Sequence, residues 1–307
     1  MRAYSVFDDF PQSAVDILGR NNISVTILQK GKERPAGDEL KRLIEVYDII
    51  IISTAQKMPE YMFADINTPK IIATASIGVD HIHVPEDKCG IIKVVNAPKA
   101  NRISVAEHTF ALILTLKKQL IEGRATAAAG KSKKEMQYKP HDLYGSTIGV
   151  IGAGGTAGAV LDMAKAFGMN RIAWTRDRKK HMELVDDGVK FTELDELLKK
   201  ADIISLNLPY TPETDGLISA ERIKLMKNDA AFISASRSEL TDNAALLRKA
   251  AENSSFCVGM DVDADKVAGL WDINMKNVIV TPHIAGGTVE SRVRLFDEVC
   301  ENILLEC

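Results

Sequence analysis

The stretch Ile148-Gly149-Val150-Ile151-Gly152-Ala153-Gly154-Gly155-Thr156-Ala157-Gly158 decides the fold of this chain. An apolar run enters it and a helix-prone run, 157–167, follows, so the glycines lie at a strand-to-helix turn. Gly152 permits the tight turn, and Gly154 lets a ligand approach the backbone without meeting a Cβ. The third position of the GxGxxG pattern holds Ala157, which still lets helix and strand pack closely.

The N–H groups and the positive dipole end of the helix that follows this turn suit a pyrophosphate. The pattern alone is weak, and a glycine-rich turn without a ligand is the alternative. A second strand predicted at 171–175 supplies the strand–helix–strand context that favours a dinucleotide site. The residues expected to hold the pyrophosphate are Gly152, Gly154, Gly155 and Thr156.

The end of that second strand should carry the residue that recognises the ribose. NAD sites usually have Asp or Glu there, which accepts a hydrogen bond from the 2′-hydroxyl. Here Thr175 takes this place, and Arg176, Arg178, Lys179 and Lys180 follow. A missing carboxylate removes repulsion toward a 2′-phosphate, which a guanidinium binds bidentately. The segment favours NADP, with NAD and an ordinary solvated basic loop as the alternatives.

Short apolar runs alternate with helical patterns along the chain. Ile49 to Ile52 is apolar at every position, which is typical of a strand covered on both faces of a parallel sheet. The alternation predicts an α/β fold with doubly wound parallel sheets. Strands are predicted at 3–7, 23–28, 48–53, 70–75, 92–96, 147–152, 171–175, 202–207, 230–236, 256–261 and 278–281, and helices at 104–120 and 157–167.

Length and composition indicate the class of protein. A chain of 307 residues with 46% hydrophobic and 26% charged residues is typical of a globular protein with two domains and excludes a disordered one. The 39 Lys+Arg against 42 Asp+Glu indicate no nucleic-acid or membrane partner. The apolar runs are too short to span a bilayer, the amino terminus does not resemble a secretory signal, and the sparse cysteines form no CxxC. These features predict a reduced, cytoplasmic protein.

Two places could divide the domains. Residues 122–142, with two glycines, a lysine cluster and Pro140, are predicted to be the least structured part, and a cut could fall there. Alternatively, the helix at 104–120 already belongs to the second domain and the hinge lies at 96–98. Spacing alone leaves both open.

Two residues at predicted strand ends could perform chemistry, because open α/β sheets bind ligands there. Arg237 follows the strand at 230–236 among small residues, where it could bind a carboxylate. His283 follows the strand at 278–281 and precedes small residues that allow close approach of a cofactor. Taken alone, either residue is more often structural.

Several further segments, in order and spacing, match one enzyme family: SIGVDHI at 76–82, NAP at 96–98, VAEH at 105–108, YGSTIG at 144–149, AKAFGM at 164–169, LPYTPET at 208–214, Arg237 with Asp242, GMDV at 259–262 and TPHIAG at 281–286. With the glycine turn, they make the chain resemble the D-isomer-specific 2-hydroxyacid dehydrogenases over nearly its whole length. The resemblance implies a flavodoxin-like substrate domain of residues 1–97 plus 284–307 and a Rossmann dinucleotide-binding domain of residues 98–283. It also implies a homodimer formed through the helix at 104–120.

The resemblance further implies roles for individual residues. Arg237 would bind the carboxylate and polarise the carbonyl of a small 2-oxo acid such as glyoxylate or hydroxypyruvate, together with backbone N–H groups of Ser76, Ile77 and Gly78. His283 would be the acid that protonates the carbonyl oxygen and the base in the reverse reaction. Further cofactor contacts are implied for Pro209, Thr214, Ala235, Ser236, Asp261 and Gly286.

The match fails at the carboxylate partner of the histidine. The family has a glutamate there, which stabilises the imidazolium and orients the ring. Counted without gaps from Asp261, that position holds Lys266, which beside His283 would disfavour the imidazolium. Either Asp265 or Asp263 replaces the glutamate, or no acidic partner exists.

Smaller departures also bear on the substrate loop. Ser76 and Ser238 replace usual glycines, which indicates an altered pocket. The pair His81-x-His83 could bind a metal, but no ligand cluster lies nearby, so we interpret both as exposed polar residues and predict no metal.

Lys266 also motivates a rival hypothesis from another class, a dinucleotide-binding regulator or scaffold of the same fold with impaired catalysis. Arg237 and His283 argue against it, because a pure binder needs neither. Oxidation of another small anion, such as formate or phosphonate, is a weaker third interpretation.

Overall fold

The computed structural model describes all 307 residues. Their contacts divide the chain into two compact units. The first comprises Met1–Asn101 and Gly287–Cys307, and the second comprises Arg102–Gly286. The first unit is therefore discontinuous in sequence. No helix in the chain has both the length and the apolar character that a membrane crossing needs.

The first unit contains a parallel five-stranded sheet with strand order β2-β1-β3-β4-β5, the flavodoxin-like order. Each side chain of β3, Ile49 to Ile52, is at most 1% exposed, which explains why this strand is apolar at every position. The strands are β1 (Arg2–Ser5), β2 (Ser24–Ile27), β3 (Ile49–Ile52), β4 (Lys70–Thr74) and β5 (Ile92–Val95), and the helices are α1 (Gln12–Gly19), α2 (Gly37–Val46) and the carboxyl-terminal α10 (Val289–Glu306).

The second unit contains a parallel seven-stranded sheet with strand order β12-β11-β10-β9-β6-β7-β8, the Rossmann order with one added strand. Its strands are β6 (Thr147–Ile151), β7 (Asn170–Trp174), β8 (Lys190–Phe191), β9 (Ile203–Leu206), β10 (Ala231–Ser234), β11 (Cys257–Asp261) and β12 (Val278–Thr281). Its helices are α3 (Arg102–Lys117), α4 (Leu120–Ala128), α5 (Gly155–Ala166), α6 (Met182–Asp186), α7 (Leu194–Lys200), α8 (Ala220–Leu225) and α9 (Asn243–Glu252). Helices α3 and α5 pack against each other, and α3 covers β10 and β11.

Each predicted strand is present, and so are the two predicted helices. Two features differ from the expectations. The stretch 122–142 is not unstructured throughout: α4 runs through it to Ala128, and the buried Glu122 carboxylate accepts hydrogen bonds from the N–H groups of Gln137 and Tyr138, while residues 129–142 contain only the short 3₁₀ turn Lys133–Glu135. The two-residue strand β8 was not predicted, because a segment this short carries no periodicity.

Candidate functional site

The candidate site of the second unit lies at the carboxyl edge of its sheet. All strand pairs are parallel, so residues that follow the strands meet at one edge, and the order reverses between β6 and β9. The glycine turn follows β6 and Thr175 follows β7. The predicted residues after the other strands are Pro209 after β9, Ala235, Ser236 and Arg237 after β10, and His283 after β12.

The glycine turn has the geometry expected of a phosphate cradle. Gly152 has a φ of +115°, and a Cβ there would clash with the carbonyl oxygen of Asn207, so only glycine fits. Gly154 precedes α5 and has open space where a Cβ would be. No side chain caps α5, so the N–H groups of its first turn, at Gly155 and Thr156, are available to an anion. These residues fit the pyrophosphate of a dinucleotide.

The residues expected to recognise the ribose follow β7 directly. Thr175 is the first residue after the strand, and Arg176 is exposed. Arg178 instead forms an ion pair with Glu193, with 2.5 Å between Nη2 and Oε1. The pKa of Glu213 is lowered mainly by a hydrogen bond from Thr211 and to a smaller extent by the charge of Arg176. The charge of Arg176 therefore acts weakly on the turn that follows β9, while Arg178 is engaged elsewhere.

Arg237, His283 and Asp263 form a contiguous chain of polar groups. His283 Nδ1 lies 2.9 Å from Asp263 Oδ1, and His283 Nε2 lies 3.4 Å from Arg237 Nη1. A carboxylate can only accept, so Nδ1–H donates to Asp263, and Nε2 is the nitrogen that faces the guanidinium. The side chains of His283 and Asp263 are 38% and 58% exposed, which leaves the site open to a small molecule.

The backbone that carries His283 adopts an unusual conformation. His283 has a φ of +55°, which costs a residue with a Cβ about 1–3 kcal/mol and is concentrated at functional sites. Asp261, 1% exposed, stabilises it: its carboxylate accepts hydrogen bonds from the N–H groups of Ile284 at 2.8 Å and Ala285 at 2.7 Å, and from the Thr281 hydroxyl at 2.6 Å. Asp261 therefore shapes the loop, and its predicted contact with the cofactor stays a prediction.

The structure selects one of the open alternatives for the histidine's partner. Asp263, not Asp265, contacts the ring, so the alternative without an acidic partner is wrong. Lys266 forms an ion pair with Glu239, with 3.6 Å between Nζ and Oε1. The pKa of Glu239 is lowered first by a hydrogen bond from its own N–H and also by Ser238 and Lys266. The expected repulsion between Lys266 and His283 is therefore not observed, because Lys266 pairs with Glu239.

Two other predicted cofactor residues have internal hydrogen bonds. The Thr214 hydroxyl is buried and donates to the carbonyl oxygen of Pro209 at 2.9 Å, so it closes the turn after β9. The Ser236 hydroxyl donates to the carbonyl oxygen of Leu206 at 2.9 Å. Contacts of these residues, and of Ala235 and Gly286, with a cofactor stay predictions.

Ser76, Ile77 and Gly78 lie in the first unit, in the loop that follows β4. The interpretation of His81 as an exposed residue is wrong. It is 4% exposed and hydrogen-bonded, whereas His83 is exposed as expected. Two side chains that are two residues apart lie on one face only when the segment is a strand. Residues 81–83 instead form a loop with one isolated bridge, between Met58 and Ile82, so His81 and His83 have different environments.

Sequence reasoning missed Arg102, the first residue of α3. Its Cδ lies 3.4 Å from where a Cβ on Gly155 would be, so this exposed cationic side chain lies beside the amino end of α5. No local signal could have found it, because Arg102 lies far from the glycine turn in sequence and only the packing of α3 against α5 brings them together.

The sequence profile described as "D-isomer specific 2-hydroxyacid dehydrogenase, NAD binding domain" matches residues 110–285, more than half of the chain. The chain belongs to the D-isomer specific 2-hydroxyacid dehydrogenase family. Among its relatives are a glyoxylate reductase from Pyrococcus furiosus, 28% identical over 96% of this chain and 89% of that protein, and a hydroxypyruvate reductase from Thermotoga maritima, 32% identical over 91% of each. A D-3-phosphoglycerate dehydrogenase from Synechocystis is 32% identical over 97% of this chain, which spans only 53% of that protein's length.

Solved structures agree with this membership. D-lactate dehydrogenase from Aquifex aeolicus, complexed with NAD and lactic acid, is 31% identical with a TM-score of 0.73, and covers 100% of this chain and 95% of its own. An acyclic imino acid reductase (Bsp5) in complex with NADPH and D-Arg is 26% identical with a TM-score of 0.83, over 100% and 97%. The predicted α/β fold and the predicted nicotinamide-dependent oxidoreductase of this family are thereby confirmed, and the regulator alternative is not supported.

Proposed function

We propose that this dehydrogenase is an NADP-preferring reductase of small 2-oxo acids, with glyoxylate and hydroxypyruvate as the first candidates. The observation that carries the proposal is the placement of His283 between Arg237 and Asp263, at the sheet edge that also bears the glycine turn. The names of the glyoxylate and hydroxypyruvate reductases among the relatives support the choice of substrates.

The proposed cofactor site uses the turn after β6 and the segment after β7. Gly152, Gly154, Gly155 and Thr156 hold the pyrophosphate, and Arg176 binds the 2′-phosphate while Thr175 lies beside the ribose. The exposed guanidinium of Arg176 and the missing carboxylate at Thr175 support NADP over NAD. Pro209, Thr214, Ala235, Ser236, Asp261 and Gly286 complete the site. When bound, the nicotinamide supplies the hydride.

His283 holds and moves the proton. Asp263 accepts from Nδ1–H, which keeps the ring oriented and stabilises the imidazolium when Nε2 is also protonated. Nε2 then donates to the carbonyl oxygen of the 2-oxo acid and accepts the proton back in the reverse direction. Because Arg237 Nη1 lies 3.4 Å from Nε2, an oxygen atom of the substrate at this place meets both donors.

Arg237 binds the substrate carboxylate and polarises the adjacent carbonyl, because a guanidinium matches a carboxylate with two parallel N–H groups. Backbone N–H groups of Ile77 and Gly78 bind the other carboxylate oxygen, whereas the N–H of Ser76 already donates to the carbonyl oxygen of Thr74 at 2.8 Å. The first unit is thus proposed as the substrate domain and the second as the dinucleotide domain. Both ends of the chain contribute to the former.

We also propose that the enzyme is a cytoplasmic homodimer that associates through α3 and the start of α4. On these helices, the apolar side chains of Ile103, Leu120 and Ile121 are 41%, 54% and 42% exposed. Burial of neighbouring exposed apolar side chains against a second copy of the chain would be more favourable than their exposure to water.

The deciding experiment is a panel of 2-oxo acids assayed with NADPH and NADH in parallel. We expect turnover of at least one small 2-oxo acid and a higher kcat/KM with NADPH. Arg176→Ala should raise the KM for NADPH by roughly tenfold or more through loss of charge-assisted hydrogen bonds, with the KM for NADH unchanged. Arg178→Ala is the matched control, because Arg178 pairs with Glu193. Tight NADPH binding without turnover of any 2-oxo acid would refute the proposed activity.

A further inference from the structure

In the loop at 76–78, the three carbonyl oxygens all accept hydrogen bonds from within the chain. The carbonyl oxygen of Ser76 accepts from the N–H of Ala97 at 3.0 Å, that of Ile77 from Asn96 Nδ2 at 2.5 Å, and that of Gly78 from the Ser76 hydroxyl at 2.7 Å. In a trans peptide the N–H points opposite to the carbonyl. The N–H groups of Ile77, Gly78 and Val79 are therefore turned away from these partners, and they have no acceptor within the chain.

A buried chain of side chains lies beneath this loop. Thr74 Oγ1 lies 2.8 Å from Ser76 Oγ and 3.0 Å from His81 Nε2. Thr74 is 0% and His81 4% exposed. The backbone of His81 is held as well, because its carbonyl oxygen accepts from the N–H of Met58 at 2.8 Å. We call His81, Thr74 and Ser76 the relay.

The proton count gives the relay a single direction. A hydroxyl has one proton, and Ser76 uses its own on the carbonyl oxygen of Gly78, which can only accept. Thr74 must therefore donate to Ser76, and His81 Nε2–H must donate to Thr74. Each donor polarises the next, which strengthens the series beyond isolated pairs. Burial lowers the pKa of His81, so the ring that supplies the first proton is neutral.

We propose that the relay His81–Thr74–Ser76 positions the substrate-carboxylate loop by holding the Gly78 carbonyl inward, which turns the Gly78–Val79 peptide so that its N–H faces the ligand. His81 is a positioning residue and does not touch substrate. This inference rests on the proposed function. The Ser76 hydroxyl, a departure from the glycine usual in the family, links the buried histidine to the loop.

The kinetic test compares variants that interrupt the relay at different links. Thr74→Val keeps volume and removes the hydroxyl, Ser76→Ala removes the donor to Gly78, and His81→Leu removes the first donor. With NADPH and glyoxylate, or the best 2-oxo acid of the panel, each should raise the substrate KM about five- to tenfold, with kcat and the Kd for NADPH within about twofold. His81→Gln, which keeps a donor toward Thr74, should recover most of the loss.

His83→Gln is the matched control, because His83 is the exposed neighbour and takes no part in the relay. A structural role alone would lower the thermal midpoint and the active fraction, and would not separate KM from kcat. An unchanged KM in both Thr74→Val and Ser76→Ala would overturn the proposal, and so would equal losses in KM, kcat and thermal midpoint.

Hydrogen–deuterium exchange supplies a readout that needs no activity. The N–H groups of Ser76 and Ala97 donate to the carbonyl oxygens of Thr74 and Ser76, so they are protected while the loop is ordered. Peptides that cover Ser76 and Ala97 should exchange faster in Thr74→Val and Ser76→Ala than in the wild type, while peptides of the second unit stay unchanged. If the wild type reduces no 2-oxo acid, the proposed function fails, and this measurement still decides whether the relay orders the loop. Unchanged exchange in both variants refutes the relay.

Discussion

His283 and His81 are the same side chain in two contrasting environments. His283 is partly exposed and lies between a carboxylate and a guanidinium. His81 is 4% exposed, and its Nε2 contacts only the neutral hydroxyl of Thr74. A carboxylate can orient an imidazole and balance its charge, whereas burial opposes the charged form. The difference teaches that burial and the adjacent group together decide whether a histidine can exchange protons or holds other groups in place.

Replacement of the exposed histidine tests this contrast most directly. His283→Gln should lower kcat for 2-oxo acid reduction by about 10²–10⁴-fold, the usual contribution of a general acid. The Kd for NADPH, measured by fluorescence titration, should not change. His83→Gln, an exposed histidine without a role in either site, is the control. A His283→Gln enzyme that keeps more than a tenth of kcat would show that the two histidines do not differ as described.

Removal of the carboxylate should make His283 less effective without removing it. Asp263→Asn should lower kcat roughly tenfold, a modest effect because the pair is partly exposed. Steady-state assays at saturating 2-oxo acid measure this change. Asp265→Asn, also exposed, is the matched control and should resemble the wild type. If Asp265→Asn reproduced the loss, the wrong carboxylate would have been assigned.

Besides its expected effect on the substrate KM, the buried histidine should change stability and not kcat. Burial lowers the pKa of His81 below 6.5, Lys57 and His83 act in the same direction and Asp80 opposes them. The unfolded chain therefore binds more protons below pH 6.5, so this contribution is complete above pH 6.5 and is lost as the pH falls. Thermal unfolding should show a midpoint lower by about 2–4 °C at pH 5.5 for each kcal/mol lost. His81→Gln should flatten this dependence, and His83→Gln should retain it.

A substitution at Lys266 should have the smallest effect. Lys266→Glu introduces the glutamate that the family has at this position when the residues are counted without gaps from Asp261. In the structure, however, Lys266 contacts Glu239, and the imidazole of His283 already has Asp263 as its carboxylate partner. We expect kcat to change less than twofold and stability to fall by about 1 kcal/mol or less, through repulsion at an exposed pair. A large gain in kcat would mean that the carboxylate of Asp263 is not the working partner.

Most of the fold could be predicted because the central strands of a buried parallel sheet, such as β3, are apolar runs between breakers. The glycine turn could be placed because its backbone conformation excludes a side chain at Gly152. The helix α4 could not, because its glycine and alanines carry no apolar periodicity and its residue Glu122 is paired with Lys276, which lies far away in sequence.

The candidate site, too, could be predicted from the sequence only in part. Arg237 and His283 could be recognised because several motifs occur in a specific order around them. The partner of His283 could not, because three acidic or basic candidates follow Asp261 within five positions and only the path of the chain after β11 decides which one reaches the ring. Likewise, nothing local distinguishes the buried His81 from the exposed His83.

The amino-acid order was sufficient to predict the alternation of strands and helices and the dinucleotide turn, because these depend on local periodicity and backbone conformation. The order of motifs shared with the family singled out Arg237 and His283 as the principal candidate residues. The tertiary structure decided which carboxylate meets His283, where Lys266 finds its partner and which histidine is buried. Each of these depends on distances between groups that lie apart along the chain, and hydrogen bonds and charge interactions act only where folding brings such groups within a few ångströms.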